Sequence, residues 1–137
     1  MQRAFCFVTI MISLLISIGC SSIANRNSEK ADLHMRVAVS HMNNGDYPTA
    51  LRELLEAEKY SSSSPVIQHN LGMTYFLLER PDLAEPRLKK AVNLNSRYTD
   101  ARVDLARVLT DRELYKEAKE HLKIALVDLT YENPGKT

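Results

Sequence analysis

The sequence predicts an all-α fold made of three tandem helical hairpins. One observation is a face of leucine, glycine and tyrosine followed by a small–large–small face, which fits two successive amphipathic helices. A second is that glycine is scarce, with four residues in 137. The clearest copy of the pattern comprises Leu71, Gly72, Tyr75, Ala84, Leu88 and Ala91.

The same pattern recurs 34 residues earlier and 34 residues later. The earlier copy comprises Val37, Ala38, His41, Ala50, Leu54 and Ala57. The later copy comprises Leu105, Ala106, Leu109, Ala118, Leu122 and Ala125. A fixed period in this range indicates a helical repeat array, in which each unit is one hairpin. We therefore predict units over residues 31–64, 65–98 and 99–132.

Turn and cap residues divide each unit into two helices. Gly45 is placed to end the first helix in a left-handed conformation, and Asp46 can cap the second. In the second unit, Asp82 and Glu85 have the spacing of a capping box. In the third unit, Asp100 is the predicted cap of the first helix.

The 34-residue period and these residues resemble the tetratricopeptide repeat (TPR) family over residues 31–132. The resemblance implies a solenoid of three helix–turn–helix repeats in a right-handed superhelix. It also implies a non-catalytic protein that binds other proteins on a concave surface.

Composition and motifs argue against several other functions. The chain has 18 basic and 17 acidic residues, which is too balanced for a nucleic-acid binder. It has no glycine-rich phosphate loop and no paired-cysteine metal pattern, so we predict no cofactor, no metal and no enzyme activity. His34 and His41 share a helical face but lack a third ligand, which favours a packing or surface role.

Aspartates in the third unit could also be considered for chemistry. Asp100, Asp104 and Asp111 lie along one side of a helix with Arg107 between them. Intrahelical charge pairing explains this arrangement without a desolvated pocket. The alternative is a charged rim for a bound peptide.

The first residues read as a targeting segment. Arg3 precedes an uncharged, mostly apolar run over residues 4–19, which is typical of a signal peptide. The run ends in Ser17-Ile18-Gly19-Cys20-Ser21 and resembles a bacterial lipoprotein signal. That resemblance implies cleavage after residue 19, a lipid on Cys20 and, from Ser21, sorting to the outer membrane. An uncleaved membrane anchor is the alternative, because the run is close to the ~20 residues that span a bilayer.

Residues 20–30 lack apolar periodicity, and we predict a flexible, lipid-anchored tether. At the other end of the chain, we predict that Ala118, Leu122, Ala125 and Leu129 pack inward, whereas Ile124 and Val127 face outward. Residues 133–137 form a tail that resembles the start of a link to a further repeat. This suggests a shortened or truncated member of a longer protein.

The first helices of the units supply the candidate binding groove. In the TPR family, the residues on the helical face next to the packing face line the concave surface. These positions are Met35, Val39, Met42, His69, Met73, Phe76, Val103, Arg107 and Thr110. Methionine suits surfaces that accept apolar side chains of a partner. The alternative is that these residues are simply packing between units.

The junction Leu94-Asn95-Ser96-Arg97-Tyr98-Thr99-Asp100-Ala101, the leader and the tail together resemble the type IV pilus biogenesis TPR lipoproteins. That resemblance implies a pilotin-type protein, anchored in the outer membrane and facing the periplasm, which helps secretin subunits assemble. The partner would then be a secretin subunit or another envelope protein. A general periplasmic scaffold or adaptor, for example for cell-wall enzymes, is the alternative.

Overall fold

The structure is a computed structural model that describes residues 25–132, except for the side chains of residues 128–132. The described residues form α-helices joined by short turns. The helices are α1 (residues 25–43), α2 (Tyr47–Tyr60), α3 (Pro65–Leu77), α4 (Pro81–Leu94), α5 (Thr99–Asp111) and α6 (Tyr115–Glu132). The predicted signal segment 1–19, the lipidation site Cys20 and the tail 133–137 lie outside the described residues.

Successive helices pack as hairpins, which confirms the predicted all-α fold. The helix pair α3 and α4 makes the second unit, and α5 with α6 makes the third. Contacts of α2 with α3 and of α4 with α5 join one unit to the next, and α3 also contacts α5. Within the part of the chain that the structure describes, no helix is long and apolar enough to cross a membrane.

The turn inside each unit has the same backbone conformation. Gly45, Glu79 and Glu113, which are spaced by the period, have φ angles of 76°, 57° and 62°. The left-handed conformation predicted for Gly45 is therefore confirmed, and two glutamates adopt it as well. Asp46 caps α2 as predicted, because its Oδ1 accepts a hydrogen bond from the Thr49 backbone N–H at 3.3 Å.

Two other predicted caps are wrong. The helix α4 begins at Pro81, since a proline without an N–H fits the first helical position. Asp82 therefore lies inside the helix and pairs with the Arg80 side chain at 3.2 Å, and Glu85 completes no capping box. Asp100 likewise lies in the first turn of α5 rather than before it.

The core consists of two clusters that each span a junction between units. Ile67 and Leu71 of α3 pack with Leu54 and Ala57 of α2, so they face the preceding unit. Within the second unit the helices approach closely at Gly72. A Cβ atom there would lie 2.6 Å from the Leu88 Cγ atom.

The segment before the first unit differs from the prediction. Residues 25–30, predicted as part of a flexible tether over 20–30, are helical and continue into α1. The Asn25 amide donates to the Glu29 carboxylate at 3.0 Å, one helical turn away. The Lys30 ammonium lies 5.2 Å from the centre of the Tyr60 ring, a cation–π contact with the end of α2. These contacts favour an ordered helix where the composition suggested a tether.

The last helix also differs at one position. Ala118 and Ala125 are buried as predicted, and Ile124 and Val127 are exposed as predicted. Leu122, however, is 47% exposed, so its predicted inward packing is wrong. The side chain of Leu129, the fourth residue of that stripe, lies outside the described residues. The inward stripe is only half covered because, among the described residues, no further helix follows α6.

Candidate functional site

One row of side chains crosses the first helices of all three units. Val39, Met73 and Arg107 occupy equivalent positions of α1, α3 and α5, and we call them the central row. Val39 is 37% exposed, Met73 is half-buried, and Arg107 is exposed. The row therefore presents two apolar side chains followed by one cation.

Three of the predicted groove residues also pack against the clusters at the junctions between units. Met35 and Met42 are half-buried against the cluster that contains Leu54, and Phe76 is half-buried against the one that contains Leu88. The Thr74 hydroxyl lies 3.4 Å from the Met42 sulfur. These three side chains therefore contribute to the packing between units.

His69 connects the second unit to the third. Its Nε2 atom lies 2.7 Å from Oδ2 of Asp104 on α5, and its Nδ1 atom lies 3.0 Å from the Tyr98 hydroxyl. The His69 and Tyr98 rings also meet edge-to-face, with centroids 5.0 Å apart. We call His69, Tyr98 and Asp104 the inter-unit clamp, because together they hold α5 against α3.

The clamp resembles a proton relay only superficially. Burial raises the pKa of Tyr98, and the charges of Asp100 and Asp104 raise it further. The phenol therefore keeps its proton at neutral pH, and its hydroxyl lies within hydrogen-bond distance of His69 Nδ1 while His69 Nε2 faces the Asp104 carboxylate. A hydroxyl held in its protonated form is a poor nucleophile, so this arrangement suits positioning better than catalysis.

The remaining groove residues, Val103 and Thr110, line two depressions beside α5, and His69 of the second unit lines one of them. One, of about 360 Å³, is lined by His69, Thr99, Asp100, Val103 and Asp104. The other, of about 420 Å³, is lined by Val103, Ala106, Arg107, Thr110, Asp111 and Leu122. The Thr110 hydroxyl donates to the Ala106 carbonyl at 2.8 Å, so its proton is used within the helix. This end of the groove is polar, with Arg107 beside Asp104 at 3.5 Å.

The two histidines considered as metal ligands pair with different carboxylates. His34 Nδ1 lies 2.9 Å from Glu53, and His41 Nδ1 lies 3.1 Å from Asp46. Each pairing bridges the two helices of the first unit or its turn. In the range 25–132, no group of three or more His, Cys, Asp or Glu side chains is placed to hold a metal ion.

Sequence reasoning missed the pairing of His69 with Asp104. It placed His69 in the groove and gave Asp104 a solvated or rim role, whereas the Asp104 side chain is only 16% exposed. The two residues are in different units, so no pattern within one helix reveals their contact.

The comparison with solved structures identifies the fold. No family model matches the chain, and a search of curated proteins gave no significant match. Among solved structures, the second TPR of Spaghetti (RPAP3), bound to the HSP90 peptide SRMEEVD, is similar with a TM-score of 0.72 and 19% identity. That match covers 76% of this chain and 96% of the other.

Two further structures show the same likeness. The Arabidopsis OM64 TPR domain matches with a TM-score of 0.71 and 20% identity, over 74% of this chain and 84% of that one. A structure described as functional characterization of Pseudomonas aeruginosa pilF matches with a TM-score of 0.71 and 23% identity, over 77% of this chain and 47% of that one. The likeness in fold, together with the helical hairpins and their 34-residue spacing, establishes that this chain has the TPR fold.

Proposed function

We propose that this chain is a non-catalytic protein-binding module whose concave face takes a segment of another protein. The observation that carries the proposal is the central row, because Val39, Met73 and Arg107 remain accessible while the residues around them are used for packing. Accessible apolar side chains at equivalent positions of neighbouring units, here Val39 and Met73, favour a binding surface. A solved TPR domain with this fold holds a short peptide, which supports the same use here.

The row also suggests the chemistry of the bound segment. Apolar side chains of the segment would lie over Val39 and Met73. A carboxylate would lie at Arg107, whose side chain is 57% exposed. The clamp would hold the second and third units at a fixed angle, so the row is ordered before the segment arrives.

We further propose that this module is an outer-membrane lipoprotein, anchored through Cys20 and facing the periplasm. Its partner would be a secretin subunit, whose assembly for type IV pili it assists. This narrower proposal rests on the leader, the junction 94–101 and the tail described above. The alternative remains a general periplasmic scaffold for cell-wall enzymes, which would share the same central row.

Capture from detergent-solubilised bacterial envelope tests both levels of the proposal. The full chain is compared with Met73→Asp and with a matched control, Asn93→Asp, which changes an exposed position on α4. We expect a bound protein with the full chain and the control, and at least a tenfold loss with Met73→Asp. Equal capture by all three would contradict a concave binding site.

The identity of the captured protein then distinguishes the pilus role from the scaffold alternative. A secretin subunit supports the pilus role, and a cell-wall hydrolase supports the scaffold alternative. A variant with Arg107→Glu should weaken capture further if a carboxylate of the partner lies at that end of the row.

A further inference from the structure

The first helix exposes apolar side chains whose counterparts in later units are buried. On α1, Leu33 is 54% exposed and Val37 is 38% exposed. The residues 34 positions later, Ile67 and Leu71, are 2% and 0% exposed. The difference arises because α2 covers Ile67 and Leu71, whereas no described helix precedes α1.

The last helix shows the complementary difference. On α6, Leu122 is 47% exposed and Leu126 is 63% exposed. Their counterparts on α4, Leu88 and Val92, are 0% and 7% exposed. Those two lie in the cluster that α4 forms with α5, and Leu88 also packs against Gly72 of α3.

These two exposed faces correspond in sequence to the two sides of the interface between units. Inside the molecule, the first helix of a unit packs on the second helix of the unit before it, through the faces that correspond to Leu33 and Val37 on α1 and to Leu122 and Leu126 on α6. This occurs once between α2 and α3 and once between α4 and α5. One copy of the chain therefore carries, at opposite ends, both surfaces of an interface that it already forms twice.

We propose that a second copy of this chain stacks on the first, with α1 of one copy covering the Leu122 and Leu126 face of the other. The argument is continuity with the interface between units, since the second copy offers the side chains that complete the same packing. This inference goes beyond the proposed function and uses the ends of the array rather than the central row. The contact is heterologous, so it adds copies in one direction.

The polar residues beside this face are compatible with stacking. In the first internal junction, Glu58 accepts hydrogen bonds from Gln68 at 2.7 Å and from Arg87 at 2.5 Å. The residue equivalent to Glu58 at the exposed end is Leu126. The residues that it would meet are His34 and Glu53 of the second copy.

Those two residues already satisfy each other. His34 and Glu53 lie 2.9 Å apart within the first unit. An apolar Leu126 would therefore cover a pair that needs no third partner, whereas Glu58 faces two donors. At this position the stack would therefore bury no unpaired charge, and an unpaired charge is costly to bury.

Photo-cross-linking between two tagged copies in intact cells tests the proposal with the full chain. The first copy carries benzoylphenylalanine at position 126, and the second carries a different tag. We expect an adduct between the copies, and mass spectrometry should map it to α1 of the second copy, near Leu33 and Val37. Absence of an adduct between copies, or an adduct confined to the same chain, would overturn the proposal.

Variants of the second copy test the direction of stacking. Val37→Glu should reduce the adduct at least tenfold, because it places a charge on the face that is covered. Leu126→Glu in the second copy should leave the adduct unchanged, since only its α1 face is used. Ile124→Glu, which changes an exposed residue of α6, is the control that should also leave it unchanged.

Two results would contradict this direction. An adduct that maps to α6 of the second copy would indicate a symmetric contact between the two ends. An adduct that survives Val37→Glu would show that the α1 face is not involved. Because Val37 and Leu126 are both exposed, neither substitution removes a buried side chain, and a thermal melt by circular dichroism should confirm intact folding.

Discussion

The two internal junctions share their apolar packing but differ in their polar groups. At the first, Glu58 binds both Gln68 and Arg87. At the second, the residue 34 positions after Glu58 is Val92, and Arg102 and His121 are the residues 34 positions after Gln68 and Arg87. Hydrophobic packing tolerates such changes because it depends on shape and volume, whereas a hydrogen-bonded group needs a specific partner.

The second junction is therefore the less satisfied of the two. Arg102 still donates from Nη2 to the Ser96 carbonyl at 2.5 Å, as Gln68 donates to the Ser62 carbonyl at 3.3 Å. Within the described residues, however, Arg102 Nε and His121 Nδ1 are buried without a hydrogen-bond partner. The repeat thus preserves the backbone contact and the apolar core while it changes the charge pairing.

The largest predicted effect tests whether the apolar packing of the two junctions contributes equally to the free energy of unfolding. Leu54 and Leu88 are both fully buried at equivalent positions. Leu54→Ala and Leu88→Ala should each lower the free energy of unfolding by about 2–5 kcal/mol, through lost burial and the cavity left behind. The half-exposed equivalent, Leu122, is the matched control, and Leu122→Ala should cost less than about 1.5 kcal/mol. Chemical denaturation at a protein concentration low enough to keep copies apart measures all three, and a cost at Leu122 equal to that at Leu88 would show that its face is covered within one copy.

The second prediction concerns the polar group of the first junction. Burial alone would raise the pKa of Glu58, but hydrogen bonds from Gln68 and Arg87 and the charge of Arg87 outweigh it and lower that pKa. Glu58→Gln should cost about 1 kcal/mol at pH 7, because a charge-assisted bond is replaced by a neutral one near solvent.

The pH dependence of the destabilisation by Glu58→Gln is the control for this prediction. A lowered folded-state pKa means that the stabilisation is present above the ordinary glutamate range and is lost as pH falls through the folded value. The difference between Glu58→Gln and the unchanged chain should therefore shrink in acid. A difference that stays constant down to pH 3 would mean that the charge of Glu58 contributes nothing.

A smaller effect is expected at the left-handed turns. Glu79 and Glu113 have positive φ, which strains a residue with a Cβ atom. Glu79→Gly or Glu113→Gly should raise the free energy of unfolding by up to about 1 kcal/mol, since relief of strain is partly offset by the greater freedom of glycine when unfolded. Gly45→Ala is the reverse change at the equivalent turn and should destabilise. If glycine destabilised both glutamate positions, the turns would not share one conformation.

The smallest effect on the free energy of unfolding is expected at the second junction, where the pKa of His121 is the quantity to measure. Burial lowers the pKa of His121, and the charges of Arg102 and Lys89 lower it further. Because the unfolded chain then binds a proton more readily, stability should rise with pH up to about 6.5, the ordinary histidine value. Val92→Glu should place a carboxylate beside both groups, as Glu58 does in the first junction.

This substitution should raise the pKa of His121, and an NMR titration of its ring protons measures the change. The acid-side loss of stability should become smaller at the same time. Val92→Gln, which adds a similar volume without the charge, is the control and should leave the His121 pKa much closer to that of the unchanged chain.

Much of the fold could be predicted from the sequence because the 34-residue period fixes where each helix, turn and small packing residue lies. The left-handed conformation of Gly45 and the capping of α2 by Asp46 could be predicted from local backbone chemistry alone. The cap of α4 did not, because Pro81 fits the first helical position better than Asp82 fits the cap. The start of α5 at Thr99, one residue before Asp100, was not predicted either. The left-handed glutamates were missed because glutamate carries no turn signal, although their spacing from Gly45 contained the information.

The candidate site was less predictable. The helical face of Val39, Met73 and Arg107 follows from periodicity, and so does their place on the first helix of each unit. Which neighbours remain accessible depends on the angle between units, which no single helix encodes. The clamp of His69 with Asp104 and the exposure of Leu122 both depend on that packing.

The most direct test of this account places benzoylphenylalanine at position 73, 126 or 93 of the full chain in intact cells. We predict that position 73, in the central row, captures a different protein, and that position 126, at the end of the array, captures a second copy of this chain. Position 93, on the outer helix α4, should capture neither. The same adducts from all three positions would contradict the separation of a concave binding face from a self-stacking end.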